Sequence, residues 1–245
     1  QEAQINKLNT ACKKLHLPEK ESKSKDKILE LGSGFGGFAK FAAENYNCEV
    51  ISYNISTEQV EYAKKITKDL PVKTIISDYR AADSEQNHNH FDKIISIGMM
   101  EHVGKKNYRS FMKITNNCLK DKGIFYIHTI GSLNSNGGTD PWLEKYIFPG
   151  GRLPSSASIL EAAEGYFVLE DFQNIGHDYD KTLMAWFNNF NKNWPRFKDK
   201  YGERFYRMWK YYLLSCAGGF RSGHINLFQF VFSKGNLGKT YEGVR

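Results

Sequence analysis

Apolar and polar positions change period several times along the chain. Ile5, Leu8, Cys12 and Leu15 recur near helical spacing and predict a helix over residues 3–16. Residues 17–26 are charged and hold a proline, so they read as a loop. Short apolar runs then alternate with amphipathic stretches. Strands are predicted at 27–31, 48–53, 72–77, 91–97 and 123–129, with helices over 36–46, 56–68 and 105–119 between them. This alternation implies right-handed crossovers and a doubly wound α/β sheet. Two further strand candidates, 166–172 and 226–233, lie far downstream and bring the sheet to seven mostly parallel strands. Between them runs a long helical insertion. Leu183, Trp186, Phe187, Phe190 and Trp194 keep helical spacing there, followed by Phe205, Met208, Trp209 and Tyr212. Neither an internal repeat nor a low-complexity segment interrupts the pattern.

The junction between the first strand and its helix carries the first chemistry. Ile28-Leu29-Glu30-Leu31 runs into Gly32-Ser33-Gly34-Phe35-Gly36-Gly37. Glycines there let the backbone turn tightly and let a ligand approach the main chain. The free N–H groups of the following helix face the ligand's polar end. A glycine loop alone is a weak signal. The form Glu30-x-Gly32-x-Gly34-x-Gly36 in this strand order resembles the first motif of class I S-adenosylmethionine methyltransferases, whose Rossmann-like fold it implies. In that family the acidic residue holds the cofactor's amino group, and the residues at Gly32, Ser33, Gly34 and Gly36 line its methionine portion. Asn54, with Ile55, stands where most of these proteins place an acidic ribose acceptor. Ser56 and Gln59 have capping-box spacing, and Gln59 is also within reach of a ribose. Asp78, followed by Tyr79, is either an adenine acceptor or a turn aspartate. Ile97 closes the fourth strand on the same side.

Ligands of open parallel sheets bind beyond the carboxyl ends of the strands. The fourth strand leads into Glu101 and the fifth carries His128, so a carboxylate and an imidazole project from the rim that bears the glycine loop. Such a pair orients or removes a proton. His102 has solvent as its simplest surroundings. None of Cys12, Cys48, Cys118 and Cys216 forms a CxxC or Cys/His spacing, so no metal site is expected and the thiols read as reduced and structural.

Longer motifs carry a second resemblance. Glu101-His102-Val103-Gly104, His128-Thr129-Ile130-Gly131, Asp140-Pro141-Trp142, Lys145 to Gly150, Asp178-Tyr179-Asp180, Thr182 to Trp186 and Cys216 to Arg221 are similar to the cyclopropane-fatty-acyl-phospholipid synthase family, from about residue 3 to the C-terminus. The resemblance implies a methylene transfer from S-adenosylmethionine to a cis alkene of a phospholipid acyl chain. The alkene attacks the sulfonium methyl, a bound bicarbonate ion removes a proton from the transferred methyl, and the ring closes. Matched motif by motif, Glu101, His128, Tyr179 and the backbone of Ile130 hold the bicarbonate. The family also has a helical N-terminal domain, with roles in lipid binding and homodimer formation, and a Tyr-Ser-Cys segment. Neither is in this sequence, which starts at Gln1 and is expected to be a piece of a longer protein. The implied division is 1–26 helix and linker, 27–130 cofactor-binding core, 131–225 substrate-covering insertions with a strand near 166–172, and 226–245 final strand and tail.

Composition adds two points. Hydrophobic residues make up 40% and charged ones 25%, as in a globular chain, and the net charge is +7. That excess suits an anionic partner, a phospholipid surface or a nucleic acid, though it equally fits a mildly basic soluble protein. No nucleic-acid motif accompanies it, so a nucleic-acid partner is not expected. Lys192, Arg196, Lys198, Lys200, Arg204 and Arg207 are candidates to face lipid phosphates. Of the aromatic residues, a few within 142–149 and 183–190 are expected to line an acyl channel and the rest to pack as core. No run of about 18 apolar residues exists to span a bilayer. Peripheral association with the cytoplasmic face of a membrane is the expected location.

Overall fold

The apolar runs become the strands of one seven-stranded sheet in the computed structural model of the chain, which describes residues 2–135 and 137–244. The strands are β1 (Asp26–Leu31), β2 (Cys48–Asn54), β3 (Val72–Ile76), β4 (Phe91–Ile97), β5 (Leu119–Ser132), β6 (Val168–Asn174) and β7 (Ile225–Ser233), in the order β3-β2-β1-β4-β5-β7-β6. The first five pair in parallel, and β7 lies antiparallel between β5 and β6. The strand order reverses direction at β1 and β4, and the open crevice lies above their carboxyl ends.

Nine α-helices accompany the sheet among the described residues: α1 (Glu2–Lys14), α2 (Gly37–Asn45), α3 (Thr57–Ile66), α4 (Met100–Val103), α5 (Tyr108–Cys118), α6 (Pro141–Tyr146), α7 (Ser156–Ala163), α8 (Gly176–Asn193) and α9 (Lys198–Arg221). Continuous apolar runs in the central strands reflect burial on both faces. Leu29, Leu31 and Phe125 join Phe111 and Ile159 on one face. Ile28, Val50 and Tyr126 join Cys12, Leu15 and Phe38 on the other. A third cluster lies under α8 and α9, where Leu183, Leu213 and Phe220 meet Leu227, with Ile130 and Tyr179 at its margin.

Several predicted boundaries move, and the strand expected at 123–129 extends over Leu119–Ser132. The expected strand 166–172 begins at Val168, because the amides of Tyr166 and Phe167 still bond to Ala163 O and close the end of α7. The expected helix 105–119 begins as a 3₁₀ turn over Lys105–Asn107 and becomes α-helical at Tyr108. The helical insertion is two helices, and α9 is broken at Gly202, whose φ of 72° no helix accommodates. On the first aromatic run Leu183 is buried, whereas Trp186 remains 40% exposed. All four cysteines are free and buried.

Helix α1 departs further from its periodicity. Ile5 is exposed, while Lys14 is fully buried and its Nζ lies 2.6 Å from Asp171 Oδ2 on β6. The Tyr241 hydroxyl donates to Lys14 O at 2.7 Å, so the helix, the last parts of the sheet and the C-terminal tail meet at one residue. Losing one member of a buried ion pair strands the other charge. Lys14→Met is therefore expected to lower unfolding free energy by about 3–5 kcal/mol in urea titration. Lys14→Met/Asp171→Leu should recover much of that loss; a double variant as unstable as the single one would mean that packing, not charge, dominates.

Candidate functional site

At the end of β1 the Glu30 carboxylate sits beside β2, where its Oε2 accepts from Ser52 Oγ at 2.6 Å. Burial pushes its pKa up to about 7, against the opposing pull of that hydrogen bond. The loop that follows turns through Gly32, Gly34 and Gly36 at φ of 85°, 51° and 78°. These glycines differ in purpose. A Cβ on Gly34 would meet nothing within 4 Å and would project into open space, whereas one on Gly36 would lie 2.8 Å from Ala63 Cβ on α3. Gly34 keeps a cradle open, and Gly36 lets α2 start against α3. Ser33 is buried beside them.

The end of β2 braces this loop. Asn54 Nδ2 donates to Gly34 O at 3.0 Å and to Gln59 Oε1 at 2.9 Å, and its Oδ1 accepts from the Ser56 amide at 3.1 Å. The expected capping box is thus only half formed. Ser56 Oγ caps α3 by accepting from the Gln59 amide, but the Gln59 side chain is taken by Asn54 instead of returning to Ser56. Ile55 is 76% exposed at the rim, an apolar surface beside the cradle. Asp78 accepts from the Arg80 amide and guanidinium, the contacts of a turn aspartate, and its carboxylate stays half-exposed. The Tyr79 ring packs in the core against Phe111, and Ile97 is half-buried at the end of β4.

A second group gathers one strand away. The turn at Gly98, whose amide donates to His128 O at 2.8 Å, leads into α4 and Glu101. Glu101 is 8% exposed; its Oε1 accepts from the Ile130 amide at 2.7 Å, and its Oε2 has no geometric hydrogen-bond partner among the described residues. Burial raises its pKa. The Ile130 N–H, part of the backbone expected to hold the bicarbonate, donates to Glu101 and fixes that carboxyl. Tyr126 Oη and Gln229 Nε2 lie 3.3 Å and 3.4 Å from His128 Nδ1. Assigned from these two donors, Nδ1 accepts and the proton sits on Nε2. Burial, aided by the nearby Lys7 charge, pushes the imidazole pKa down to about 3, so the ring is neutral. Tyr179 packs on Phe220 and Trp186 at 5.0 Å and 5.9 Å between ring centres. Its hydroxyl pKa is raised by burial and by the charge of Glu101.

The carboxyl, imidazole and phenol therefore share a largely buried setting that disfavours charge on each, with Glu101 Oε2 the carboxyl oxygen lacking a partner among the described residues. That arrangement suits a small guest that both donates and accepts hydrogen bonds. His102 is exposed, as its position suggested. The sequence reading missed Tyr108, which is 2% exposed with an unpartnered hydroxyl that burial and the Glu101 charge push up to about 12. It also missed Tyr126 and Gln229. Gln229 had a visible signal, a polar residue between Phe228 and Phe230 in an apolar strand. Tyr108 and Tyr126 looked like ordinary core residues.

Residues 1–230 match the family model described as mycolic acid cyclopropane synthetase. The chain is 45% identical over 95% of its length to the cyclopropane-fatty-acyl-phospholipid synthase of Escherichia coli K12 and spans 58% of that protein. It is 32% identical over 96% of its length to the sphingolipid C9-methyltransferase of Komagataella phaffii, of which it spans half. Among solved structures, a mycolic acid cyclopropane synthase, CmaA1, complexed with SAH and CTAB, superposes with a TM-score of 0.83 at 28% identity, covering 96% of this chain and 85% of that one. The family suggested by the motifs at Glu101, His128 and Tyr179 is borne out: the chain belongs to the cyclopropane synthase family and has the class I methyltransferase fold.

Proposed function

We propose that the chain is the catalytic part of a cyclopropane-fatty-acyl-phospholipid synthase, transferring a methylene group from S-adenosylmethionine to a cis double bond of a phospholipid acyl chain. The observation that carries this reading is the Glu101, His128 and Tyr179 group, largely buried and with charge on each disfavoured, one strand from the glycine cradle. The names of the relatives and the SAH in the similar structure support it.

The cradle fits the cofactor: Gly34 leaves open space where a side chain would stand, and Glu30 offers a carboxylate at its base. When bound, S-adenosylmethionine supplies an electrophilic methyl group. Residues Glu30, Gly32, Ser33 and Gly34 would hold its methionine end, with Asn54 and Gln59 bracing the loop and Ile55 against the base. We place the cofactor-binding core at 27–130 and the substrate cover at 131–225. An alkene is a weak nucleophile, so the site must align it and exclude water. The apolar cluster of Leu183, Phe220 and Leu227 around Tyr179 does both.

Bicarbonate, the proposed base for the methyl proton, carries one donor and several acceptors. Glu101 Oε2, His128 Nε2–H and the Tyr179 hydroxyl are complementary to it. Burial favours neutral forms of all three, which removes like-charge repulsion toward the anion. No helix of the described residues is long and apolar enough to cross a membrane. We place the protein peripherally at the cytoplasmic face, as a homodimer in the manner of its family.

The deciding experiment incubates the protein with S-adenosylmethionine, bicarbonate and cis-unsaturated phospholipid vesicles. A one-methylene mass gain with cyclopropane protons and no alkene is expected; a retained alkene would mean plain methylation. Glu101→Gln and His128→Gln should leave S-adenosylhomocysteine affinity nearly unchanged and cut turnover by about 10²-fold or more. Equal loss of binding would remove their assigned role. Gly34→Val should weaken that affinity at least tenfold (about 1.4 kcal/mol) in a folded protein, whereas Gly36→Ala should chiefly lower the unfolding midpoint. Because unliganded Glu30 holds its proton to about pH 7 and a cationic amino group favours the ionised form, calorimetric affinity should fall about fivefold as pH drops from 7 to 6. In Glu30→Gln that slope should vanish.

A further inference from the structure

A pocket of about 390 Å³ lies between α6 and α9, lined by Trp142, Tyr146, Arg204, Arg207, Met208 and Tyr211. Trp142 meets Tyr211 edge-on at 4.5 Å and Tyr146 at 5.4 Å, which fixes an aromatic wall. Arg204 and Arg207 stand one helical turn apart on α9, on the other wall.

These two arginines differ from the others. Arg80 and Arg221 pair with Asp78 and Asp180, and Arg109, Arg152 and Arg196 donate to carbonyl or amide oxygens. Arg204 and Arg207 are the only described arginines with neither an ion pair nor a hydrogen bond. Their neighbourhood is also basic, with seven basic and two acidic residues from Lys192 to Lys210. Two unspent guanidiniums beside indole and phenol faces suit a phosphodiester, which guanidinium forks grip in bidentate fashion.

The side chains around the pocket favour a lipid over other anions. Leu143, next to Trp142, and Tyr212, next to Tyr211, belong to the apolar cluster that contains Ile130 and Tyr179. Phe148 packs edge-on against Tyr212 at 5.7 Å and extends that surface. The apolar residues beside the pocket thus adjoin the cluster that includes Tyr179, a setting that matches an acyl tail better than a nucleic acid.

We propose that this pocket is the head-group site for the phosphodiester of a glycerophospholipid, with Arg204 and Arg207 as its phosphate ligands and Trp142 and Tyr211 as its walls. The inference rests on the lipid-substrate reading above and adds where the head of that substrate sits.

Dihexanoylphosphatidylglycerol, a soluble short-chain lipid, tests it by calorimetry on the whole chain. Each basic side chain near an anionic lipid contributes enough that Arg204→Gln/Arg207→Gln should weaken binding about thirtyfold. S-adenosylhomocysteine affinity and the circular dichroism melting point should not change. Dihexanoylglycerol, which lacks the phosphate, should bind the unaltered protein no better than the double variant binds the phospholipid. Unchanged phospholipid affinity in the double variant would overturn the site. So would inorganic phosphate binding as tightly as the lipid, or a single-stranded RNA oligonucleotide displacing it through the same arginines. If the lipid binds through these arginines and no acyl product forms, the reaction reading fails and the head-group site stands. If product forms and the double variant binds lipid as before, the reverse holds.

Discussion

Backbone hydrogen bonds between β1 and β4 hold two strands far apart in sequence in parallel register, with Ile28 opposite Lys93 and Glu30 opposite Ile95. Parallel register brings both carboxyl ends to the same edge of the sheet. One end opens into the glycine loop and the other into the Gly98 turn and Glu101. The next pairing, β4 with β5, sets Ile97 opposite His128 and adds the imidazole to that edge. From there the Ile130 amide reaches back to Glu101 and locks α4 onto β5. The loop, carboxyl and imidazole thus share one rim because of a backbone arrangement, before any side chain recognises another.

Burial then sets the character of that rim. Desolvation is the first cause of the shifts at Glu30, Glu101 and His128, and each is driven toward its neutral form. The acids rise and the base falls. A polar site in an apolar setting would normally be costly, but here the individual hydrogen bonds from Ser52, Ile130, Tyr126 and Gln229 offset part of the expense. Among the described residues, Glu101 Oε2 is the buried carboxyl oxygen left without a partner.

What the sequence made legible was local. The Glu30 and glycine-loop spacing spans seven residues, and Glu101 and His128 announce themselves as polar residues at the ends of apolar runs. The elements followed from their periods, and their edges failed where a neighbour intervened, as when α7 claimed Tyr166 and Phe167. Illegible were the contacts between distant segments. Lys14 and Asp171 are 157 positions apart, and nothing in a helical pattern says that a lysine will be the buried member. Gln229 serves His128 across 101 positions. Asn54 resembled a missing ribose ligand, and only its folded position reveals a brace for the loop. Ile130 was singled out for its backbone, yet the partner of that backbone is the protein's own carboxyl.

The antiparallel placement of β7 has a bearing on how the protein is made. β6 pairs only with β7, and β7 separates it from β5. A ribosome that has released β6, α8 and α9 has therefore produced a strand with no berth in the sheet, beside a β5 whose outer edge is bare. His128 is by then folded into β5 but lacks the Gln229 amide that sets its tautomer. Arrival of residues 225–233 closes the edge, seats β6 and orients the imidazole together. Synthesis order thus makes the rim that carries His128 one of the later parts to mature, with the edge of β5 open until residues 225–233 arrive.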